Sequence, residues 1–209
     1  MDYIAKVTLP CSREMAKVMS GQNNVRPSPE SLAASISATK SRGSPPVHLW
    51  NPPFCGNLDM RIARDGTWYY EGTPIGRPGL VKLFASILKK EEGSFFLVTP
   101  VEKVGITVDD APFVAVDFDA EGDGAHQMLN FTTNVGDVAV AGAACPIQVV
   151  RDAQTGEPSP YVLIRADLEA LIDRKSFYRL VDLGVHHDGW FGVWSDEVFF
   201  RIIPSAELP

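Results

Sequence analysis

The stretch from Asp59 to Leu88 constrains this chain most, because its residue order dictates a hairpin that runs into a helix. Arg64-Asp65-Gly66 reads as a tight turn, since Asp and Gly tolerate the backbone angles a hairpin needs. Trp68, Tyr69 and Tyr70 supply a return strand rich in aromatic side chains. Gly76-Arg77-Pro78 redirects the chain, and Pro78 suits the first turn of a helix. Leu80, Leu83, Phe84, Ile87 and Leu88 then recur at helical spacing and form one apolar stripe.

The same order recurs roughly 82–88 positions downstream, the signature of an internal repeat. Arg64-Asp65 is matched by Arg151-Asp152, and Ser94-Phe95-Phe96 by Ser176-Phe177-Tyr178. Arg77, Leu80, Leu83 and Phe84 are matched by Arg165, Leu168, Leu171 and Ile172. On this register Leu168 to Ile172 is a short helix and Phe177 to Leu183 a strand. Further strands are expected at Phe95–Thr99, Val104–Val108, Phe113–Phe118, Met128–Thr133, Val138–Ala141, Ile147–Val150, Tyr161–Ile164, Trp190–Trp194 and Val198–Ile203. The expected fold class is α+β, with two tandem β-β-α-β-β-β units and mainly antiparallel sheets. The units are placed at residues 47–142 and 143–209.

Residues 1–46 differ in composition. They hold one aromatic, Tyr3, and six Lys/Arg against three Asp/Glu, in a chain whose net charge is −7. Such a segment buries too little apolar surface to offset chain entropy, so it reads as a mostly disordered tail. Pro29 to Ala38 is the exception, a short helix with Leu32 and Ile36 on one face. The first twenty residues read as an upstream start outside the working protein. At Trp50-Asn51-Pro52-Pro53-Phe54 two aromatics flank a stiff Pro-Pro pair and are expected to clamp the chain onto the core.

The acidic balance argues against nucleic acid as a main partner, since phosphate backbones demand a basic surface. Cys11, Cys55 and Cys145 are too few and too irregular for a disulfide framework, which points to a reducing, cytoplasmic setting. No apolar run is long enough to span a membrane, and the N-terminus lacks the apolar core of a signal peptide.

Several separate blocks, His48 to Pro53, Asp59 to Trp68, Gly72 to Pro78, Leu97 to Val104, Asp109 to Phe113, Phe131 to Asp137 and Phe191 to Ser195, together resemble the bacterial domain-of-unknown-function family 1285. The resemblance covers residues 47 to 203. It implies a duplicated α+β fold whose C-terminal half is pleckstrin-homology-like. It also implies a groove between the halves that takes a nucleotide-like ligand in signalling. It assigns no reaction.

Candidate ligand-binding residues follow from local chemistry. Arg77 and Arg165 are each placed just ahead of a helix, where unpaired N–H groups and a guanidinium together favour anions. The competing reading pairs each arginine with a nearby carboxylate, Glu71 or Glu169. Arg61 points away from the apolar face of Met60 and Ile62, towards the groove or solvent. Glu102-Lys103 is either an acid–base pair or a plain surface pair. Thr132, Thr133, Asn134 and Asp137 ring a glycine turn that suits a polar ligand or else satisfies its own backbone. Trp194 shares a strand face with Trp190 and offers a stacking surface or a core side chain.

Adjacent His186 and His187 point opposite ways on a strand, a poor metal pair. No Walker loop, GxGxxG, GxSxG or HExxH occurs, so no cofactor and no catalytic residue is assigned. The leading expectation is a non-catalytic module for a small anionic, nucleotide-like ligand. The alternatives are a hydrolase or transferase on a phosphorylated substrate, with Glu102 or Asp137 as base, and a protein-interaction module using the C-terminal aromatic hairpin.

Overall fold

A computed structural model describes residues 45–208 together with Pro29 and Leu32–Ala34. The first sheet uses β1 (Phe54–Ile62), β2 (Trp68–Tyr70), β3 (Thr73–Pro74), β4 (Leu88–Glu91), β5 (Ser94–Val98) and β6 (Lys103–Val108). Helix α1 (Pro78–Ser86) carries the chain from β3 to β4. The second sheet uses β7 (Phe113–Glu121), β8 (Met128–Thr133), β9 (Val138–Val140), β10 (Ile147–Arg151), β11 (Pro158–Arg165) and β12 (Leu168–Ile172). Helix α2 (Arg174–Asp182) follows, and β13 (Val185–His187), β14 (Trp190–Ser195) and β15 (Val198–Pro204) form a third, small antiparallel sheet.

The two six-stranded sheets share one topology. The first runs β3-β2-β1-β6-β5-β4 and the second β9-β8-β7-β12-β11-β10. Each joins two antiparallel three-stranded meanders through a single parallel pair, β1 with β6 and β7 with β12. Antiparallel neighbours need only short turns, whereas the parallel join needs a longer crossover. In the first unit α1 lies within that crossover.

The duplication is therefore real as a fold, but its register differs from the one read in the sequence. β7 corresponds to β1, so the sheet changes between Val108 and Phe113. The boundary expected at 142/143 falls inside the second sheet, because β7 pairs with β12 rather than with β6 and carries β8 and β9 beside it. Two elements also exchange type. Leu168 to Ile172 is strand β12, with Leu168, Ala170 and Ile172 buried in strict alternation. Phe177 to Asp182 belongs to helix α2, which Asp173 starts by accepting a hydrogen bond from Ser176 N.

One contiguous core runs through both units. Trp68 stacks on Phe84 of α1 at 6.3 Å in the first unit, and Phe118 meets Phe131 at 5.3 Å in the second. Leu32 is also fully buried in this core, so the expected tail boundary at residue 46 excludes a core residue. The rest of that expectation, Ile36 included, lies outside the described residues. Trp50 packs on the core as expected. Phe54 does not, being 53% exposed with its ring edge-on to Phe96.

The third sheet is tied to the second through Ser195. Its buried hydroxyl accepts from Leu129 N at 2.9 Å and donates to the Ala141 carbonyl at 2.6 Å. Among the described residues no helix is long and apolar enough to cross a membrane.

Candidate functional site

The β1–β2 turn is the join between the two units. Asp65 Oδ1 accepts from Thr67 N at 2.9 Å, which closes the turn and holds the Asp65 carboxyl below its ordinary value. Gly66 takes a positive φ of 81° beneath Asn134, and a Cβ there would stand 2.5 Å from Asn134 Nδ2. Glycine is thus required by both backbone angle and space. Asn134 clamps the join: its Nδ2 donates to the Gly66 carbonyl at 3.2 Å, and its Oδ1 accepts from Val114 N at 3.1 Å. On the other flank Arg64 reaches from the same turn to Asp110 Oδ2, 3.2 Å from Nε, and donates to Ser159 Oγ at 3.0 Å.

A cleft of about 320 Å³ opens beside this join, between the β1–β2 turn, the start of α1 and the Asn134-Val135 turn. Trp68, Ile75, Val81 and Val135 give it apolar walls. Lys82 lines it, while Gly76 and Pro78 bring the exposed Arg77 to its edge. No carboxylate lines the cleft, and among the described residues neither Arg77 nor Lys82 forms an ion pair. The first turn of α1 contains no acidic residue, so its N-terminal partial positive charge adds to both cations. The Lys82 ammonium lies against Gly136, where a Cβ would come within 3.3 Å of it. Lys82 was not among the residues singled out from the sequence. Its position five residues after Arg77, on the solvent side of the Leu80/Phe84 stripe, was the signal available.

The expected site residues divide into separate places. Thr133, Asn134 and Asp137 share one turn, in which Thr133 Oγ1 accepts from Asp137 N at 2.9 Å. Thr132 is half-buried on β8 beside them. Asn134 alone of these lines the cleft. Arg165 is not ahead of a helix. It sits at the end of β11, pairs with Asp137, donates to the Ala85 carbonyl at 2.5 Å and lies over the Phe113 ring at 5.0 Å. Its role is thereby to close the C-terminal end of α1, where backbone carbonyls lack helical partners. The carboxylate that engages it is Asp137 rather than Glu169.

The remaining candidates lie elsewhere. Arg61 pairs with Asp109 at 2.5 Å and stacks over Tyr69 at 4.7 Å. Lys103 turns away from Glu102 and pairs with Glu91 at 2.8 Å over the ring of Phe96. Burial pushes the Glu102 carboxyl above its ordinary value, on the β5–β6 loop. Trp194 packs against His187 and Phe199 in the third sheet, with ring centroids 4.9 and 5.2 Å away.

Two family models match adjoining stretches that together span residues 45–202. The domain of unknown function DUF1285, N-terminal domain, matches residues 45–111, and the DUF1285 C-terminal domain matches residues 112–202. Their division falls where the chain leaves the first sheet for the second. The crystal structure of a DUF1285 family protein from Silicibacter pomeroyi DSS-3 is similar, with 66% identity and a TM-score of 0.79. That match covers 84% of this chain and 96% of the relative. A DUF1285 family protein from Shewanella baltica OS155 is 33% identical, with a TM-score of 0.48, over 60% of this chain and 91% of that one. No curated protein matches the chain.

Proposed function

The chain belongs to the DUF1285 family, and on that premise we propose that it is a non-catalytic module that binds a small anion in the cleft beside α1. The observation that carries this reading is a cleft lined by Lys82 and by no carboxylate, with the exposed Arg77 next in the chain to two of its lining residues, Gly76 and Pro78. Neighbouring cations of an acidic protein that lack carboxylate partners, one of them lining an apolar hollow, leave an uncompensated field for an anion. Asn134 offers an amide at the same place, and the apolar walls suit the flat body of a nucleotide-like ligand. Arg165 drops out of the expected set, since Asp137 and the Ala85 carbonyl already engage its guanidinium.

Binding is favoured over turnover because neither carboxylate considered as a base is placed for it. Asp137 is held by Arg165, and Glu102 lies on a different loop and does not line the cleft. A signalling role follows from a ligand that bridges two units. The free thiols of Cys55 and Cys145 fit a reducing cytoplasm. The pleckstrin-homology-like reading of the C-terminal half draws support from its antiparallel pairings and from α2, which lies between the second and third sheets in the chain.

A thermal-shift titration with inorganic phosphate and nucleoside phosphates tests the reading. A ligand at a hundred times its Kd adds about 2.7 kcal/mol, or about 5–10 °C for a chain of this size. The double variant R77A/K82A should lose that shift while keeping its own Tm. An undiminished shift in the double variant would overturn the assignment.

A further inference from the structure

A second cavity, of about 250 Å³, lies on the opposite flank of the β1–β2 turn, and its chemistry is different. Its walls are apolar: Pro158 and Pro160 of β11, Leu171 of β12, and Phe177 and Tyr178 of α2. Tyr178 is 59% exposed although its ring belongs to this wall. Both signs of charge line the cavity. Arg64 comes from the first unit and Arg174 from the first position of α2, while Glu157 and Asp173 provide carboxylates.

Among the described residues none of these four charges pairs with another. Arg64 is held by Asp110 and Ser159, and Asp173 accepts from Ser176 N through Oδ1. Among the described residues Arg174 and Glu157 form no ion pair. Arg174 stands at the first position of α2, with Lys175 next to it, and the Asp173 carboxylate that caps the helix already meets the positive end of its dipole. A simple anion would face Glu157 and Asp173, and a simple cation would face both arginines. A neutral apolar body bearing one charge of each sign satisfies the whole lining.

We infer that this cavity is a binding site for a compact zwitterion with an apolar body, the chemistry of a free apolar α-amino acid. The carboxylate meets the Arg174 guanidinium, which can engage it through two parallel N–H donors. The ammonium lies towards Glu157. The side chain packs against Tyr178, Phe177 and the two prolines. At about 250 Å³ the volume falls below the usual range for ligand sites, about 300–1,000 Å³, which selects a compact molecule. The site is independent of the anion cleft beside α1 and shares no lining residue with it.

Isothermal titration of the full chain with L-phenylalanine and L-leucine tests the inference. Phenylpropionate, which lacks the ammonium, and phenethylamine, which lacks the carboxylate, are the comparison probes. Saturable binding of at least one amino acid is expected, weakened at least about tenfold for both comparison probes. Arg174→Ala and Glu157→Gln should each weaken it, whereas R77A/K82A should leave it unchanged. Failure of both amino acids to bind at millimolar concentration overturns the inference. So does equal binding of either comparison probe, or undiminished binding by Arg174→Ala. Arg174 and Glu157 are exposed, so a cooperative melt of each variant at the parent Tm separates lost binding from lost fold.

Discussion

Gly66 and Asn134 show how much of the molecule rests on single side chains. Gly66 combines a positive φ with contact against an amide that two hydrogen bonds hold in place. Gly66→Ala should therefore lower unfolding stability by about 1–3 kcal/mol, measured as a shifted urea midpoint at unchanged slope. A loss below about 0.5 kcal/mol would show that Asn134 yields freely. Glu102 gives a pH-dependent counterpart. Burial raises its carboxyl in the folded chain, so its contribution is intact below the ordinary glutamate value and is lost as pH rises through the folded one. Glu102→Gln should match the parent at pH 4 and exceed it in stability at pH 7; the reverse order would contradict the assignment. At this scale the Arg64-Asp65-Gly66 turn was legible because turn chemistry is local. The Asn134 clamp was not, since its partners Gly66 and Val114 lie 68 and 20 positions away.

Helix α1 illustrates the same division among elements. Its Pro78 start and the stripe from Leu80 to Phe84 were readable from the chain, and Phe84 buries as the stripe requires, but the helix ends at Ser86, so Ile87 caps it and Leu88 opens β4 instead of extending the stripe. Its C-terminal closure by Arg165 was not, because that contact spans 80 positions. The consequence is an asymmetry between the two arginines first considered together. Arg165→Ala should cost about 1–3 kcal/mol, since it removes a charge-assisted bond to the Ala85 carbonyl and leaves Asp137 unpaired. Arg77→Ala should stay within about 0.5 kcal/mol of the parent. Equal effects in denaturant melts would refute the distinction. β12 and α2 were exchanged for a related reason. Leu168, Leu171 and Ile172 fit helical spacing, but Leu168, Ala170 and Ile172 fit a strand equally well, and a five-residue run cannot decide. The Asp173 cap with Ser176 three positions on was the overlooked mark of the helix start.

As a whole, the molecule is one topology used twice around one core. The repeat was legible as a fact but not in register, because sheet partners are set by long-range pairing that chain spacing does not encode. Arg77 and Arg174 stand at the two helix starts, but they are not equivalent in the repeat, since α1 lies between β3 and β4 whereas α2 follows β12, the counterpart of β6. Because the buried residues form a single cluster across both units, calorimetry should give one cooperative transition. Two resolved transitions would mean that the join contributes little. The anion cleft between the units is best probed by an amide chemical-shift titration of the full chain with inorganic phosphate. Saturable shifts are expected at Thr67, Gly76, Gly79, Lys82 and Asn134, and they should vanish in R77A/K82A. Shifts confined to other surfaces, or none at millimolar phosphate and low salt, would contradict it.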